Sequence, residues 1–218
     1  MQIDNINLYR MVHVDNLPHI LVNGITKKDS AMANPDFKSI GDVSLIGNRS
    51  TKIVEVYNGD YTMLNPTRIC LGDFIPFYFG IRMPMLYVMQ NGGNFVETAT
   101  APQDIVYIVC SLRKVLDSGT NYYFSDGHGT DGYTTFYDNE RILDLPGLID
   151  WDCVQAKFWG GDENLNTKRK KQAEFLVASD LPSSCILGFL CYNETAKKRL
   201  MQIGINEAGI KVWPNAYY

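Results

Sequence analysis

The order of the apolar runs along the chain is the feature that most restricts its fold. Runs of strand length occupy residues 8–14, 73–79, 105–112, 121–124, 173–179, 186–192 and 210–213, and helical patterns occupy residues 17–23, 84–89, 146–159 and 193–204. A doubly wound parallel sheet needs a helix after nearly every strand, and these helices are too few and too irregularly placed. The pattern therefore predicts an α+β domain in which strands outnumber helices.

Length and composition fit one folded domain spanning residues 1–218, with 45% hydrophobic and 20% charged residues. The sequence has no apolar run of about 18 residues, and its N-terminus lacks the basic region followed by an apolar region that marks a signal peptide. We therefore expect a cytoplasmic protein without a membrane span. The five cysteines are widely spaced, with no CxxC pair and no histidine at ligand spacing. They predict free thiols in a reducing compartment and no metal site.

One segment combines a basic run with an isolated carboxylate. Residues 168–171 read KRKK, and Glu174 then heads an apolar run. Strand alternation places Glu174 on the same face as Leu176 and Ala178, so we expect its carboxylate at the edge of a cleft, out of bulk water. A carboxylate held there without a nucleophilic partner suits stabilisation of an oxocarbenium-like transition state at a sugar C1′. The basic run is expected to form a loop that contacts phosphates.

Three further residues are candidates for a site. His128 lies between glycines in a turn-rich loop, where a bulky polar side chain has no packing reason to be. Arg49 lies near the end of the irregular residues 26–50, a length of chain that is typically functional or disordered. Arg82 lies between an aromatic strand and a helix opened by Pro84, and it is a candidate for phosphate contact. The net charge of −4 argues against a protein that coats nucleic acid non-specifically.

Several blocks together resemble the DarT family of NAD-dependent DNA ADP-ribosyltransferase toxins. They read YRMVHVDNL at 9–17, VSLI at 43–46 just before Arg49, FIPFYFGIRMPMLY at 74–87, SDGH at 125–128, KQAEFLV at 171–177 and the terminal YY at 217–218. They follow the family order and span essentially the whole chain. The resemblance implies an ADP-ribosyltransferase fold, in which a split antiparallel sheet with flanking helices binds NAD.

The same resemblance assigns roles to particular residues. It implies that Glu174, Arg49 and His128 are catalytic, with Glu174 holding the nicotinamide ribose as the glycosidic bond breaks. A guanidinium has a pKa above about 12 and is a poor base, so charge or pyrophosphate stabilisation suits Arg49 better. The implied NAD-binding residues are Arg10, Met11, Val12, His13, His19, Lys27 and Arg49, and the implied DNA-binding residues are His128, Arg82, Lys168, Arg169 and Lys170.

The chain departs from the thymidine-modifying members at one position pair. Those members carry His-x-Thr where this chain has Arg10-x-Val12. The departure resembles the guanosine-modifying branch, which favours guanine as the acceptor, with thymine as the alternative. Single-stranded DNA is the expected substrate, since a base within a duplex cannot reach C1′ of NAD without flipping out.

Other readings stay open at this stage. The same scaffold also supports an NAD glycohydrolase or an RNA-directed ADP-ribosyltransferase. A third alternative is a non-catalytic nucleic-acid-binding module, which the combination of Arg49, His128 and Glu174 disfavours, since binding alone needs no lone glutamate. The family further implies a DarG-type macrodomain antitoxin as partner. We also expect Glu174→Ala to abolish transfer and leave the fold intact, because a carboxylate at the mouth of a strand is not part of the core.

Overall fold

The computed structural model describes residues 2–92, 96 and 98–218. Its strands are β1 (Asn7–His13), β2 (Ile53–Val56), β3 (Thr67–Cys70), β4 (Ile75–Tyr78), β5 (Ile105–Ser111), β6 (Tyr122–Ser125), β7 (Phe136–Tyr137), β8 (Glu174–Val177), β9 (Ile186–Cys191) and β10 (Ile210–Val212). Eight of these form one sheet in the order β10-β9-β5-β1-β4-β8-β6-β7, while β2 and β3 form a separate hairpin. Within the sheet, β10 and β9 pair parallel and the other pairs are antiparallel.

The large sheet is split at its centre. Strand β1 pairs with β5 over its full length, but it pairs with β4 through one register position, Tyr9 opposite Tyr78. On its other side, Tyr78 lies opposite Glu174 of β8. The two halves of the sheet therefore diverge from the row that contains Glu174. This arrangement confirms the predicted split antiparallel sheet.

Helices flank both faces of the sheet. They are α1 (Leu17–Asn23), α2 (Val43–Thr51), α3 (Pro84–Asn91), α4 (Leu112–Asp117), α5 (Leu145–Leu148), α6 (Trp151–Gln155), α7 (Leu165–Lys171) and α8 (Glu194–Gln202). Alternation along β1 sends Leu8 and Val12 into a core shared with α1, α4 and α8, while Met11 packs with α3 on the other face. Burial on both faces explains why β5 reads as one continuous apolar run.

Three sequence-based expectations need correction. Residues 26–50 are not irregular throughout, because α2 occupies the end of that segment and Asp42 caps it by accepting hydrogen bonds from the N–H groups of Ser44 and Leu45. The expected helix over residues 146–159 is broken into α5 and α6, with Asp150 capping the second piece. The basic run is not a loop, since residues 168–171 form the last turn of α7.

Strand β4 is also more central than its proline suggested. A proline within a strand is usually found at a sheet edge or end, yet Pro76 lies in β4, between β1 and β8. The split accommodates the proline, because β1 and β4 have already diverged at this position. The Pro76 carbonyl accepts a hydrogen bond of 2.8 Å from Nη1 of Arg10 instead.

Candidate active site

Glu174 is the first residue of β8 and is fully buried at the point where the sheet splits. Its backbone N–H donates to Oγ of Ser125 at 3.2 Å, which fixes the start of the strand. Its side chain points into the interior beside Tyr78, whose pKa is raised by burial and by the nearby carboxylate. The carboxylate is more enclosed than the expected position at a cleft edge.

Arg49 is the charged partner of this carboxylate. It lies in the last turn of α2, and its Nη1 is 2.9 Å from Oε1 and 2.8 Å from Oε2 of Glu174. The arginine side chain is 16% exposed, so the ion pair sits at the base of an open cleft. Its second terminal nitrogen, Nη2, is buried and has no hydrogen-bond partner among the described residues. A bound molecule with an oxygen acceptor would satisfy that donor.

The loop after β6 supplies the remaining contacts of Glu174. The backbone N–H of Gly129 donates to Oε1 at 2.9 Å. Ser125 Oγ donates to the carbonyl of Gly127 at 2.7 Å, and the N–H of His128 donates to the carbonyl of Arg169 at 3.0 Å. The loop is therefore fastened to both β8 and α7, and its Gly129 N–H donates to the same carboxylate oxygen as Arg49 Nη1.

His128 lies on the same loop, half-buried at the mouth of the site. Its Nδ1 is 3.0 Å from Oγ1 of Thr130. Burial lowers the pKa of His128, although the charge of Glu174 acts in the opposite direction. The ring is thus neutral at pH 7, a form in which one nitrogen donates and the other accepts.

Three connected cavities surround these residues. An inner cavity of about 180 Å³ is lined by Arg10, Arg49, Tyr78 and His128, and an outer cavity of about 360 Å³ shares Arg10 and Arg49 with it. A side cavity of about 630 Å³ meets the inner one at His128 and extends along α7. Arg49 therefore lines the elongated cleft formed by the inner and outer cavities, and His128 lies where this cleft meets the wider side cavity.

The elongated cleft contains most of the residues expected to bind a dinucleotide. Arg10, Met11 and Val12 line the inner cavity, and Lys27 lines the outer one. Burial lowers the pKa of Arg10 to about 10, so its guanidinium stays charged at neutral pH. The segment after Lys27 is fastened at Asp180, which accepts from the Lys27 N–H at 2.7 Å and from the Ser30 hydroxyl.

Two of the expected cofactor residues lie outside this lining. His13 is 4% exposed, and its Nδ1 accepts a hydrogen bond from the N–H of Asp15, as a core histidine would. His19 is half-buried on α1, and it is absent from the described lining of all three cavities. The structure brings Arg49, His128 and Glu174 together and leaves these two histidines apart.

A family model described as "DarT: ssDNA thymidine ADP-ribosyltransferase" matches residues 9–218. The chain belongs to the DarT family. A "DNA ADP-ribosyl transferase" of Escherichia coli O127:H6 is 32% identical over 196 residues, 89% of this chain and 84% of the relative. A Thermosipho africanus protein described as a DNA ADP-ribosyl transferase–DNA ADP-ribosyl glycohydrolase fusion is 22% identical over 209 residues, 95% of this chain and 48% of the fusion.

Solved DarT structures share the fold over nearly the whole chain. DarT of Thermus sp. 2.9 in complex with ADP-ribosylated single-stranded DNA superposes with a TM-score of 0.79 and 26% identity, covering 97% of this chain and 96% of that one. The same protein with carba-NAD+ gives a TM-score of 0.74 at 25% identity, covering 97% of both chains. The ADP-ribosyltransferase fold expected from the DarT resemblance is confirmed.

The cations expected to bind DNA differ in their surroundings in this DarT chain. Arg169 Nη1 pairs with Asp126 at 3.0 Å and Lys170 Nζ pairs with Asp150 at 2.8 Å. Lys168 forms no ion pair within the described part of the chain, and its Nζ lies 5.5 Å from the centre of the Trp159 ring in the side cavity. Arg82 lies outside the described lining of all three connected cavities.

Sequence reasoning missed two contributors to the DarT site. Gly129 acts through its backbone N–H, which leaves no trace in residue chemistry. Ser125 is fully buried and bridges Glu174 to the loop, and its position just before an Asp-Gly turn was the available signal. No group of three or more histidine, cysteine or acidic residues positioned to hold a metal occurs within residues 2–92, 96 and 98–218.

The cysteines are unpaired, as the sequence predicts. All five cysteines are free thiols, with Cys110, Cys185 and Cys191 buried and the other two partly buried. Burial raises the pKa of each of the three buried thiols. Over the described residues, no helix has both the length and the apolar character needed to cross a bilayer.

Proposed function

We propose that this chain transfers ADP-ribose from NAD to a base in single-stranded DNA and releases nicotinamide. The observation that carries the proposal is the Arg49–Glu174 ion pair beside an elongated cleft that meets a side cavity at His128. Membership of the DarT family supports it, as do the DarT of Thermus sp. 2.9 with ADP-ribosylated single-stranded DNA and the same protein with carba-NAD+. The cleft would hold the dinucleotide and the side cavity would admit the DNA.

The residues of the cleft fit a dinucleotide. Arg49 Nη2 is a buried donor without a partner among the described residues, and Arg10 adds a second cation along the same cleft. Both match a pyrophosphate or ribose oxygen, which accepts such hydrogen bonds. Bound NAD supplies the ADP-ribosyl group, with nicotinamide as the leaving group that takes the electron pair of the broken C1′–N bond.

The chain's own residues then act on charge and position. Glu174 pairs with Arg49 and accepts a hydrogen bond from the Gly129 N–H, and its negative charge stabilises the positive charge that develops at C1′. The Arg49 guanidinium holds the carboxylate in place and is not needed as a base. Neutral His128 positions the acceptor base and is available to receive the proton that the base nitrogen loses as it bonds to C1′.

We further propose guanine as the acceptor base. The support is the Arg10-x-Val12 departure on β1, where Arg10 and Val12 both line the inner cavity. The description of the matching family model, which names thymidine, supports thymine as the second candidate. Both candidates require an unpaired base at the mouth of the side cavity.

One experiment tests the activity and the base together. The protein is incubated with NAD and single-stranded oligonucleotides that each lack one base, and adducts are identified by mass spectrometry. We expect an added ADP-ribose on every oligonucleotide except the one without guanine. Loss on the thymine-free oligonucleotide instead would assign thymine. Nicotinamide release without any DNA adduct would leave an NAD glycohydrolase, and an adduct on RNA alone would leave the RNA-directed alternative.

We also propose that the chain acts as a toxin in the cytoplasm, opposed by a DarG-type macrodomain partner. The Thermosipho africanus fusion supports this pairing, since its description joins a transferase to a DNA ADP-ribosyl glycohydrolase. Expression of the chain in bacteria should stop growth, and co-expression of such a glycohydrolase should restore it. Growth that is unaffected by an active chain would contradict the toxin role.

A further inference from the structure

A fourth cavity, of about 610 Å³, lies apart from the active site. We call it the rear cavity; its described lining includes Arg82, Lys157, Lys171, Trp151 and Trp213. It shares none of its described lining residues with the inner, outer or side cavities. Its size falls within the range of about 300–1,000 Å³ that is typical of small-molecule sites.

The rear cavity has an excess of positive charge. Arg82, Lys157 and Lys171 line it, and its described lining contains no aspartate or glutamate. Lys171 is 1% exposed, and its Nζ donates to the carbonyls of Val154 at 2.9 Å and Ile81 at 3.3 Å, with no carboxylate partner within the described chain. A buried ammonium without a counter-ion is unfavourable. Burial and the nearby Arg82 accordingly lower the pKa of Lys171 to about 8.

Arg82 is held at this cavity in a strained conformation. Its φ is +53°, a value that residues with a side chain rarely adopt. The conformation is fixed by hydrogen bonds from its N–H to the Tyr107 hydroxyl at 3.0 Å and from the Tyr218 hydroxyl to its carbonyl at 2.7 Å. The guanidinium lies 4.4 Å from the centre of the Tyr218 ring, yet its Nε is buried without a hydrogen-bond partner within the described residues.

The remaining lining matches a nucleobase. Trp151 and Trp213 offer aromatic faces, and Asn7, Gln155 and Asn215 offer amide donors and acceptors. Aromatic faces bind bases by stacking without regard to sequence, and amides bind base edges by hydrogen bonds. Cations without counter-ions, aromatic rings and amides thus occur together in one cavity.

We propose that the rear cavity binds a phosphorylated nucleotide, with its phosphate against Lys171, Arg82 and Lys157 and its base against the tryptophans. The nucleotide is either free or one unit of a DNA strand. Helix α7 lies against both cavities, since it contributes Lys168 to the side cavity and Lys171 to the rear cavity. A DNA strand bound in the side cavity could therefore place a further nucleotide in the rear cavity. Binding at this site needs no NAD and is independent of the transfer reaction.

The test uses the full chain without NAD and two variants that weaken the phosphate contacts. Arg82→Gly removes the guanidinium and suits the positive φ, while Lys157→Ala changes an exposed residue and leaves the buried core intact. Thymidine 5′-monophosphate and thymidine are titrated by calorimetry. We expect each variant to weaken monophosphate binding about tenfold and to leave thymidine binding unchanged. Lys198→Ala, an exposed cation outside the rear-cavity lining, is the matched control.

A second titration, with a ten-nucleotide single strand, separates the two sources. A loss of strand affinity in both variants assigns the site to DNA, and a loss confined to the monophosphate assigns it to a free nucleotide. If both probes bind the folded variants as tightly as the original chain, the rear cavity is not a nucleotide site. Thermal unfolding establishes which variants are folded, and Lys157→Ala alone suffices if Arg82→Gly is not.

Discussion

The charge of Glu174 is the property on which the proposed chemistry depends. Glu174→Gln keeps the size of the side chain and one acceptor for the Gly129 N–H, but it removes the negative charge beside C1′. We expect transfer to fall by about 10²- to 10³-fold or more, the usual consequence of losing such electrostatic stabilisation. Initial rates of adduct formation at saturating NAD measure the effect.

Removing the Glu174 side chain altogether, in Glu174→Ala, is expected to lower stability as well as activity. That variant was expected to leave the fold intact, but Glu174 is fully buried and Arg49 would be left without its partner. We expect the free energy of unfolding to fall by up to about 3 kcal/mol in Glu174→Ala, less than for a fully buried pair because Arg49 is partly exposed. Glu140→Gln, at an exposed glutamate, is the control and should change neither rate nor melting temperature.

Protonation of His128 is expected to set the acid limb of the profile of transfer rate against pH. Burial lowers its pKa, so the neutral ring persists below the ordinary value of about 6.5. Transfer should therefore be constant above about pH 6.5 and fall only at lower pH, as the ring becomes protonated. Stability follows the same direction, since the unfolded chain binds more protons in that window and stability rises with pH.

A His128→Gln variant provides the comparison for this limb. It should retain more transfer than Glu174→Gln, because positioning contributes less than the charge at C1′. Its profile of kcat/KM against pH should lack the His128 limb. An unchanged limb in His128→Gln would assign the limb to another group.

The residues of the site differ in how well the sequence predicted them. Glu174, Arg49 and His128 were named from their chemistry and family motifs, and the structure brings them into one site. Their burial was underestimated, because the enclosure of Glu174 depends on α2 and on the loop after β6, which come from distant parts of the chain. The role of Gly129 was not predictable, since any residue type has a backbone N–H.

At the scale of the loop, two glycines give a matched pair of variants. A Cβ at Gly129 would lie 3.0 Å from Nη1 of Arg49 and 3.2 Å from Oε1 of Glu174, whereas a Cβ at Gly132 would meet nothing within 4 Å. Gly129→Ala should push the ion pair apart and lower transfer by about tenfold or more, since a small displacement of catalytic groups is costly. Gly132→Ala should keep full activity, and comparable losses in both variants would indicate that loop flexibility matters more than the space around the pair.

The strands and helices differ in how well the local sequence pattern predicts them. Most strands and the ends of α1 and α3 followed from apolar alternation and from the positions of prolines and glycines. Helix α2 was missed because its apolar residues, Val43, Leu45 and Ile46, are confined to its first turn and none of its residues is buried, so no apolar stripe marks it. The break between α5 and α6 arises because Asp150 caps a new helix and also pairs with Lys170 of α7, a tertiary contact that periodicity does not contain.

The distribution of charge over the molecule limits which cations are available to contact DNA phosphates. The chain carries a net charge of −4, and three of the four cations in the basic run of α7 already have partners within the chain. Arg169 and Lys170 have carboxylate partners, and Lys171 is buried against carbonyl groups. Of these four cations, Lys168 is therefore the one available to a phosphate in the side cavity.

Lys168→Ala should weaken binding of single-stranded DNA and reduce its salt dependence. One lost phosphate contact lowers the slope of log K against log salt by about 0.7 for a single strand. Lys170→Ala should reduce the slope less, because Lys170 is already paired with Asp150 at 2.8 Å. Fluorescence anisotropy with a labelled oligonucleotide over a range of salt concentrations measures both slopes, with Lys198→Ala as the surface control. Equal reductions for Lys168 and Lys170 would show that the Asp150 pair opens on DNA, and the whole basic turn would then guide the strand.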